Sequence, residues 1–251
     1  MADRPRADAA DRGAGGHLPD GAVGLDVAGQ PPEKDLMSHF RAQPILDATS
    51  LEVVALEVLA ADADTLPFGD ATAMAAHDLA ALEYAGILCA RTGLRAHCNV
   101  EWTTLMLAAG HVTVRVRPGI VIELVERFEA LERAGAAAAD AVLDLILEVR
   151  RRGGAVAMDD VTSTGPARDL IRSLRPEIVK VENRNTLADV RRFCGATIIA
   201  ERIETARHAE LARKLGAGEI QGFWCDRQAA GNAGHQMAEN PIPTGSAAGR
   251  A

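Results

Sequence analysis

The hexapeptide "AVAMDD" (residues 155–160) is a short apolar run that ends in two adjacent aspartates. Aspartate is a favoured turn residue, so the fragment alone reads as a strand running into an acidic turn. It also has a chemical reading. Two carboxylates side by side at a strand end repel each other, and a shared cation relieves that repulsion. The choice depends on whether other strands end in the same way.

Seven further apolar runs do so, or nearly so: "FRAQPI" (40–45), "LEVVALE" (51–57), "RAHCN" (95–99), "GIVIE" (119–123), "EIVKVE" (177–182), "ATIIAE" (196–201) and "EIQGFW" (219–224). Helical patterns separate most of them. Residues 70–92 carry Ala and Leu at three- and four-residue spacing. Residues 136–151 do the same and end in arginines, which suit a helix C-terminus. Shorter helices are expected over 166–174, 186–194 and 205–215. Continuous apolar strands alternating with helices imply a parallel sheet. About eight of them in one domain favour an α/β fold of TIM-type (β/α) barrel architecture over an open doubly wound sheet. The first two runs are joined only by "LDATS" (46–50), too short for a crossover. One antiparallel strand is therefore expected.

Bulk composition sets the limits. The 251 residues are 48% hydrophobic and 25% charged but only 3% aromatic, so the core must be built from Ala, Leu, Val and Ile. No apolar run reaches the roughly 18 residues of a membrane span, and the N-terminus lacks the apolar stretch of a secretory signal. The four cysteines (Cys89, Cys98, Cys194, Cys225) form no CxxC pair, which argues for reduced thiols in a cytoplasm and against a zinc site. The net charge of −8 disfavours DNA as a partner. Residues 1–35 and 229–251 lack periodicity and read as a disordered leader and tail around a barrel domain at 36–228. No input domain is seen beside the barrel, so control is expected to come from another chain.

In a parallel barrel all strand C-termini point to one face, where active sites are built. The polar residues at or next to the strand ends are Glu57, Asn99, Glu123, Asp159, Asp160, Lys180, Glu201 and Gln221. Any one of these carboxylates alone reads as a helix N-cap or a solvated turn. Together they cannot all ionise without cations, and their oxygen ligands suit Mg²⁺, Mn²⁺ or Ca²⁺. Two such ions about 3.5–4 Å apart, bridged by one aspartate, would activate a water for attack on a phosphodiester. Lys180 lies inside the apolar strand "IVKV", where an unpaired lysine is costly, and the carboxylates supply its partners. His97 and Cys98 read as strand interior rather than a metal pair. The arginines of "RRRGG" (150–154) read as a helix end and exposed turn rather than a phosphate site.

The ordered set "QPI" (43–45), "EVL" (57–59), "NVE" (99–101), "IELVE" (122–126), "AMDD" (157–160), "VKVE" (179–182), "AERIET" (200–205) and "QGFW" (221–224) resembles the EAL domain, the bacterial phosphodiesterase that opens cyclic di-GMP. The resemblance spans residues 40 to 228, and the intervals from Asp159 to Lys180 and from Glu201 to Gln221 are similar to the family's. It implies a TIM-type barrel with one antiparallel strand. It further implies that Glu57, Asn99, Glu123 and Asp159 hold one metal, with Asp159 bridging to a second that Asp160 also binds. Lys180 and Glu201 would orient and deprotonate the attacking water. Gln43 and Gln221 are the candidate substrate-side residues, Gln43 near a guanine and Gln221 in the second metal's water shell. Glu126 would anchor the loop after the paired aspartates.

The departures from the family pattern are specific. The loop F-G-T-G-Y-S-S is replaced by "VTSTGPA" (161–167), with threonine at both glycine positions. Threonine resists the positive φ that glycine permits, so this loop, which in the family couples metal binding to dimerisation, must fold differently. Ala61 replaces an arginine that contacts phosphate, Glu182 an aspartate and Arg202 a glycine, and a proline expected after the last strand is absent from "CDRQ" (225–228). Helical segments between Glu57 and Asn99 and between Lys180 and Glu201 are shortened. Two functions follow as expectations. One is hydrolysis of cyclic di-GMP to linear pGpG with two Mg²⁺ or Mn²⁺ ions. The other is a silent receptor or protein-interaction module, with a possible homodimer or regulatory protein partner. A barrel acting on another phosphate ester is a third, weaker reading.

Overall fold

The eight apolar runs form strands β1 (Phe40–Asp47), β2 (Val53–Ala60), β3 (Arg95–Val100), β4 (Ile120–Leu124), β5 (Ala155–Met158), β6 (Ile178–Val181), β7 (Thr197–Ala200) and β8 (Glu219–Gln221). In this computed structural model, which describes residues 33–124 and 136–239, they close into one barrel in chain order. β1 seals the barrel by pairing antiparallel with both β2 and β8. All pairings from β2 round to β8 are parallel. The expected α/β TIM-type barrel with one antiparallel strand is thus observed, and β1 is the reversed strand. Its short return is held by Asp47, whose carboxylate accepts the Thr49 and Ser50 backbone N–H groups at 2.8 and 2.7 Å.

Helices α1 (Glu33–His39), α2 (Ala71–Thr92), α3 (Trp102–Arg115), α4 (Ala136–Arg151), α5 (Gly165–Leu174), α6 (Arg184–Phe193), α7 (Ala206–Lys214) and α8 (Phe223–Glu239) accompany the strands. The expected domain boundaries at 36 and 228 fall inside α1 and α8. Glu126, the expected loop anchor, lies outside the described residues. The ends of α2 follow from local chemistry: Asp70 caps the Thr72 and Ala73 N–H groups, and Gly93 takes φ +70 at the C-terminus. Of the arginines at 150–152, Arg150 pairs with Glu177 and bonds the Leu174 and Arg175 carbonyls, while Arg151 and Arg152 bond Glu148. That cluster is structural. Cys89, Cys98, Cys194 and Cys225 are free, and no helix among the described residues is long and apolar enough to cross a membrane.

Helix α3 has no counterpart in the sequence reading. Its β-branched Thr103, Thr104, Val112, Thr113 and Val114 weaken local helix propensity. Tertiary contacts override that weakness. Trp102, Leu105, Ala108 and Val112 are buried on one face, and Ala108 breaks the helical geometry with φ −132 and ψ 24. The start of α3 is held from α2: the buried Asp78 carboxylate accepts the Glu101 backbone N–H at 2.9 Å and the Thr104 hydroxyl at 2.6 Å.

Strand alternation creates two apolar layers. Outward residues such as Ile120, Ile122, Val179, Ile198 and Ile220 pack with the helices. Inward residues Ile45, Ala55, Val121, Ala157, Ile178 and Ile199 form a separate small core inside the barrel. Two residues further toward the mouth on each of those strands comes Gln43, Glu57, Glu123, Asp159, Lys180 or Glu201. β1 runs in reverse, so its mouth residue Gln43 precedes Ile45. The period of two therefore aims every one of these polar side chains at the same opening.

Burial raises the Asp78 carboxyl from 3.8 to about 6, against the hydrogen bonds of Thr104 and Glu101, which lower it. A carboxyl that holds its proton more tightly when folded loses stability as pH climbs from about 4 through 6. Asp78→Asn should flatten that decline in urea unfolding between pH 4 and 7, whereas Asp78→Ala should cost about 1–3 kcal/mol by freeing the α3 donors. An unaltered pH dependence in Asp78→Asn would contradict this assignment.

Candidate functional site

Lys180 Nζ sits at the centre of the mouth and is 1% exposed. It lies 3.1 Å from Glu57 Oε2, 3.1 Å from Glu123 Oε2, 3.0 Å from Glu201 Oε1 and 3.8 Å from Asp159 Oδ1. These carboxylates come from β2, β4, and the ends of β7 and β5. The expected gathering of strand-end acids around the lysine is therefore present. Asn99 Nδ2 donates to Glu57 Oε1 at 2.9 Å, and Gln221 Nε2 donates to Glu57 Oε2. Gln221 Nε2 also donates to Gln43 Oε1 at 3.0 Å, and Gln43 Nε2 donates to Asp226 Oδ2 at 3.1 Å. Gln43 and Gln221 thus belong to the same network as the acids. Asp226, on α8, was not visible as a site residue because nothing in the sequence aims it back across the mouth.

The charge balance is uneven. Burial alone would lift Glu57, but the Lys180 ammonium and the donors Gln221, Lys180 and Asn99 hold its carboxyl below the usual value. Burial lifts Glu123 well above the usual range despite Lys180. Asp159 is raised by burial too, and Glu201 is pushed up to about 8 by burial. Burial works against the charge on Lys180, yet Glu123, Glu57, Glu201 and Asp159 together hold its pKa well above the usual lysine value. One ammonium faces four acids, and burial raises three of them, Glu123, Asp159 and Glu201, toward their protonated forms.

Carboxylate oxygens of Asp159, Asp160 and Glu201 lie within 4.8 Å of one another. Unlike Glu57 and Glu123, they are not sealed in; Asp159 and Glu201 side chains are each 17% exposed. A partly open set of oxygen donors fits a hard divalent cation that keeps some of its water. This cluster shares only Asp159 and Asp160 with the expected ligand set: it adds Glu201 and lacks Glu57, Asn99 and Glu123. Glu201, expected on the water, stands with the aspartates, while Glu57, Asn99 and Glu123 are tied to one another through hydrogen bonds and Lys180. Asp160 takes φ +50, and its backbone N–H donates to Asp159 Oδ1 at 2.9 Å.

The mouth is a cavity of about 580 Å³. Arg41, Glu182, Arg202, Glu204 and Phe223 line it beside all the expected residues among those described but Asn99 and Glu123. Arg202 occupies φ +50, as suits a position where the related motif carries glycine, and pairs with Glu182 at the rim. Gly222 has φ +140, and a Cβ there would fall 2.4 Å from the Ile203 backbone nitrogen. That close approach lets Ile203 N–H bond the Gln221 carbonyl at 2.9 Å and fixes Gln221. In the altered loop, Thr162 and Thr164 share a 3.0 Å hydroxyl contact, and neither has positive φ. The loop thus avoids the conformations that glycine would allow, and Pro166 stands in the first turn of α5.

His97 and Cys98 point to opposite faces. Cys98 joins the outer core, whereas His97 is fully buried inside the barrel with Nδ1 2.7 Å from Glu123 Oε1. They form no metal pair, as the sequence reading held, but His97 is bonded to a candidate ligand, which that reading missed. Strand parity was the available signal: His97 shares a face with Asn99.

Lys180→Met would leave Glu57 and Glu123 buried without their ammonium. Such a break costs about 3–5 kcal/mol. In chelator-treated protein the urea midpoint should fall accordingly, and Mn²⁺ should restore more stability to the variant than it adds to the native chain. An unchanged midpoint would contradict the central position of Lys180.

No protein-family model matches the chain, and no curated protein matches it in sequence. Solved structures do. Klebsiella pneumoniae BlrP1, in a calcium and cyclic di-GMP complex at pH 8.0, has a TM-score of 0.60 and 21% identity over 74% of this chain and 54% of its own. The chain therefore spans about half the length of BlrP1. An EAL domain protein from Listeria monocytogenes EGD-e gives 0.59 and 17% over 83% of this chain and 95% of its own. Bacillus subtilis YkuI, which has an EAL domain and was solved with substrate cyclic di-GMP and calcium, gives 0.59 and 17% over 83% and 63%. The barrel described above has the fold of an EAL domain, in a divergent form.

Proposed function

We propose that the chain is a metal-dependent phosphodiesterase of EAL type that hydrolyses cyclic di-GMP to linear pGpG. The observation that carries this reading is the mouth itself: a sealed lysine in contact with four carboxylates, adjoining an open cluster of three acids. The structural neighbours solved with cyclic di-GMP and a divalent ion support it.

In this reading Glu57, Asn99, Glu123, Asp159 and Asp160 hold two Mg²⁺ or Mn²⁺ ions. When bound, these supply Lewis acidity and lower the pKa of a water. Glu201, beside Lys180 at the open edge of the site, would take the proton of the attacking water, and Lys180 would orient that water. The water oxygen forms the new bond to phosphorus as the ester P–O bond breaks. Gln43 and Gln221 position the nucleotide side of the cavity. Arg41 and Arg202 are the exposed-side cations that line it, and they face an anionic substrate where Ala61 offers no charge. A homodimer or a regulatory protein partner would act through the 161–167 loop, which joins Asp160 to α5.

A second reading is a receptor that binds the nucleotide without consuming it. Ala61 and the glycine-free turn at Thr162–Thr164 favour it. Purified protein incubated with cyclic di-GMP and Mn²⁺, followed by product separation, decides between them. Conversion to pGpG is expected, and Glu57→Ala or Lys180→Ala should each lower it by at least about a thousandfold, on the scale of losing one member of a catalytic set. Bound but intact nucleotide would establish the receptor instead. Turnover that survives Glu57→Ala would reject the assigned metal site.

A further inference from the structure

We propose that His97 is a positioning residue for Glu123: its Nδ1–H fixes one carboxylate oxygen and so presents the other to a divalent cation. The inference rests on the reading of Glu123 as a metal ligand.

The inward positions one layer below the mouth are Ile45, Ala55, Val121, Ala157, Ile178 and Ile199 on their strands. On β3 that position is His97, which is wholly shielded from solvent. A branched apolar side chain there would match its neighbours. A buried imidazole instead brings two polar nitrogens into an apolar layer, and each needs a partner. One has it: Nδ1 lies 2.7 Å from Glu123 Oε1. The other does not: Nε2 is buried and makes no hydrogen bond among the described residues. A histidine kept only for stability would be poorly chosen. The arrangement makes sense if the Nδ1 contact is what the position is for.

The geometry specifies the role. A neutral imidazole carries one N–H, and Glu123 ionised beside a bound cation would place it on Nδ1. That bond occupies Oε1 and fixes the carboxylate plane. Oε2, 3.1 Å from Lys180 Nζ, remains the oxygen that a cation at the mouth can share. Glu57 pairs with His97 in register across β2 and β3, and Asn99 pairs with Glu123 across β3 and β4. His97 is therefore level with Glu57 and one inward position below Asn99 and Glu123, and it touches Glu123. Hydrogen bonds of this kind to a ligand are commonly worth 10- to 100-fold in metal affinity.

The test compares two substitutions by calorimetric titration of Mn²⁺ into metal-free protein. His97→Leu fills the space without a donor. His97→Asn keeps an N–H near the Nδ1 position. His97→Leu should weaken Mn²⁺ binding about 10- to 100-fold. His97→Asn should stay within about threefold of the native chain. In turnover, His97→Leu should raise the Mn²⁺ concentration for half-maximal rate while the rate at saturating Mn²⁺ recovers. Should His97→Leu not fold, His97→Ala takes its place with the same readout. Native-like affinity in His97→Leu, or equal weakening in His97→Asn, would overturn the positioning role while leaving the metal site intact. Absence of Mn²⁺ uptake by the native chain would overturn the metal-site reading and this role with it.

Discussion

An ammonium group shut inside a closed barrel, in reach of four carboxylates, is the interaction on which the rest of this structure depends. Lys180 is 1% exposed, and Glu57 and Glu123 are 4% and 0% exposed. Charges so far from water are tolerated only when paired and hydrogen-bonded with good geometry. The four carboxylates arise on four different strands, so no local segment can satisfy the lysine. Only closure of the sheet, with β1 turned over to join β2 to β8, brings them together. The polar centre and the barrel therefore require each other. The proposed divalent cations would relieve the excess of acid over base at this centre.

The site has two halves with different environments. Glu57 and Glu123 are sealed and fully engaged by Lys180, Asn99, Gln221 and His97. Asp159, Asp160 and Glu201 stand at strand ends, partly open to the cavity. The sealed half gives rigidity, which matters because a catalytic constellation tolerates little displacement. The open half faces the cavity and, in the proposed function, would admit water and substrate. Asp160 and Arg202 both occupy left-handed backbone conformations beside the acids. Such conformations cost energy in residues other than glycine and gather where function requires them.

Much of this was legible in the sequence for a simple reason. Parallel strands buried on both faces read as continuous apolar runs, and the run ends at the mouth, so a polar terminal residue marks both the strand boundary and the site. Glu57, Glu123, Asp159, Lys180, Glu201 and Gln221 were found in that way. Helices α2 and α4 were legible because Ala and Leu recur along them at helical spacing. α3 was not, because threonines and valines favour it poorly and its capping carboxylate, Asp78, comes from another helix. Asp226 and Arg41 were invisible as site residues because their roles arise from where α8 and the reversed strand β1 cross the mouth. His97 was assigned to the strand interior, which is where it lies. Its bond to Glu123 depends on inter-strand register, and register is a property of the closed sheet rather than of any single run. Glu201 was recognised, but its grouping with the aspartates reflects the depth at which β7 ends.

The central claim is that the inward-facing polar residues at this end of the barrel form a site for divalent cations. Anomalous diffraction at the manganese edge, from crystals grown with MnCl₂, tests it most directly. The account predicts anomalous density at the mouth in contact with carboxylate oxygens of Asp159 and Asp160. Well-ordered crystals with manganese only at outer surface positions, or with none, would contradict it.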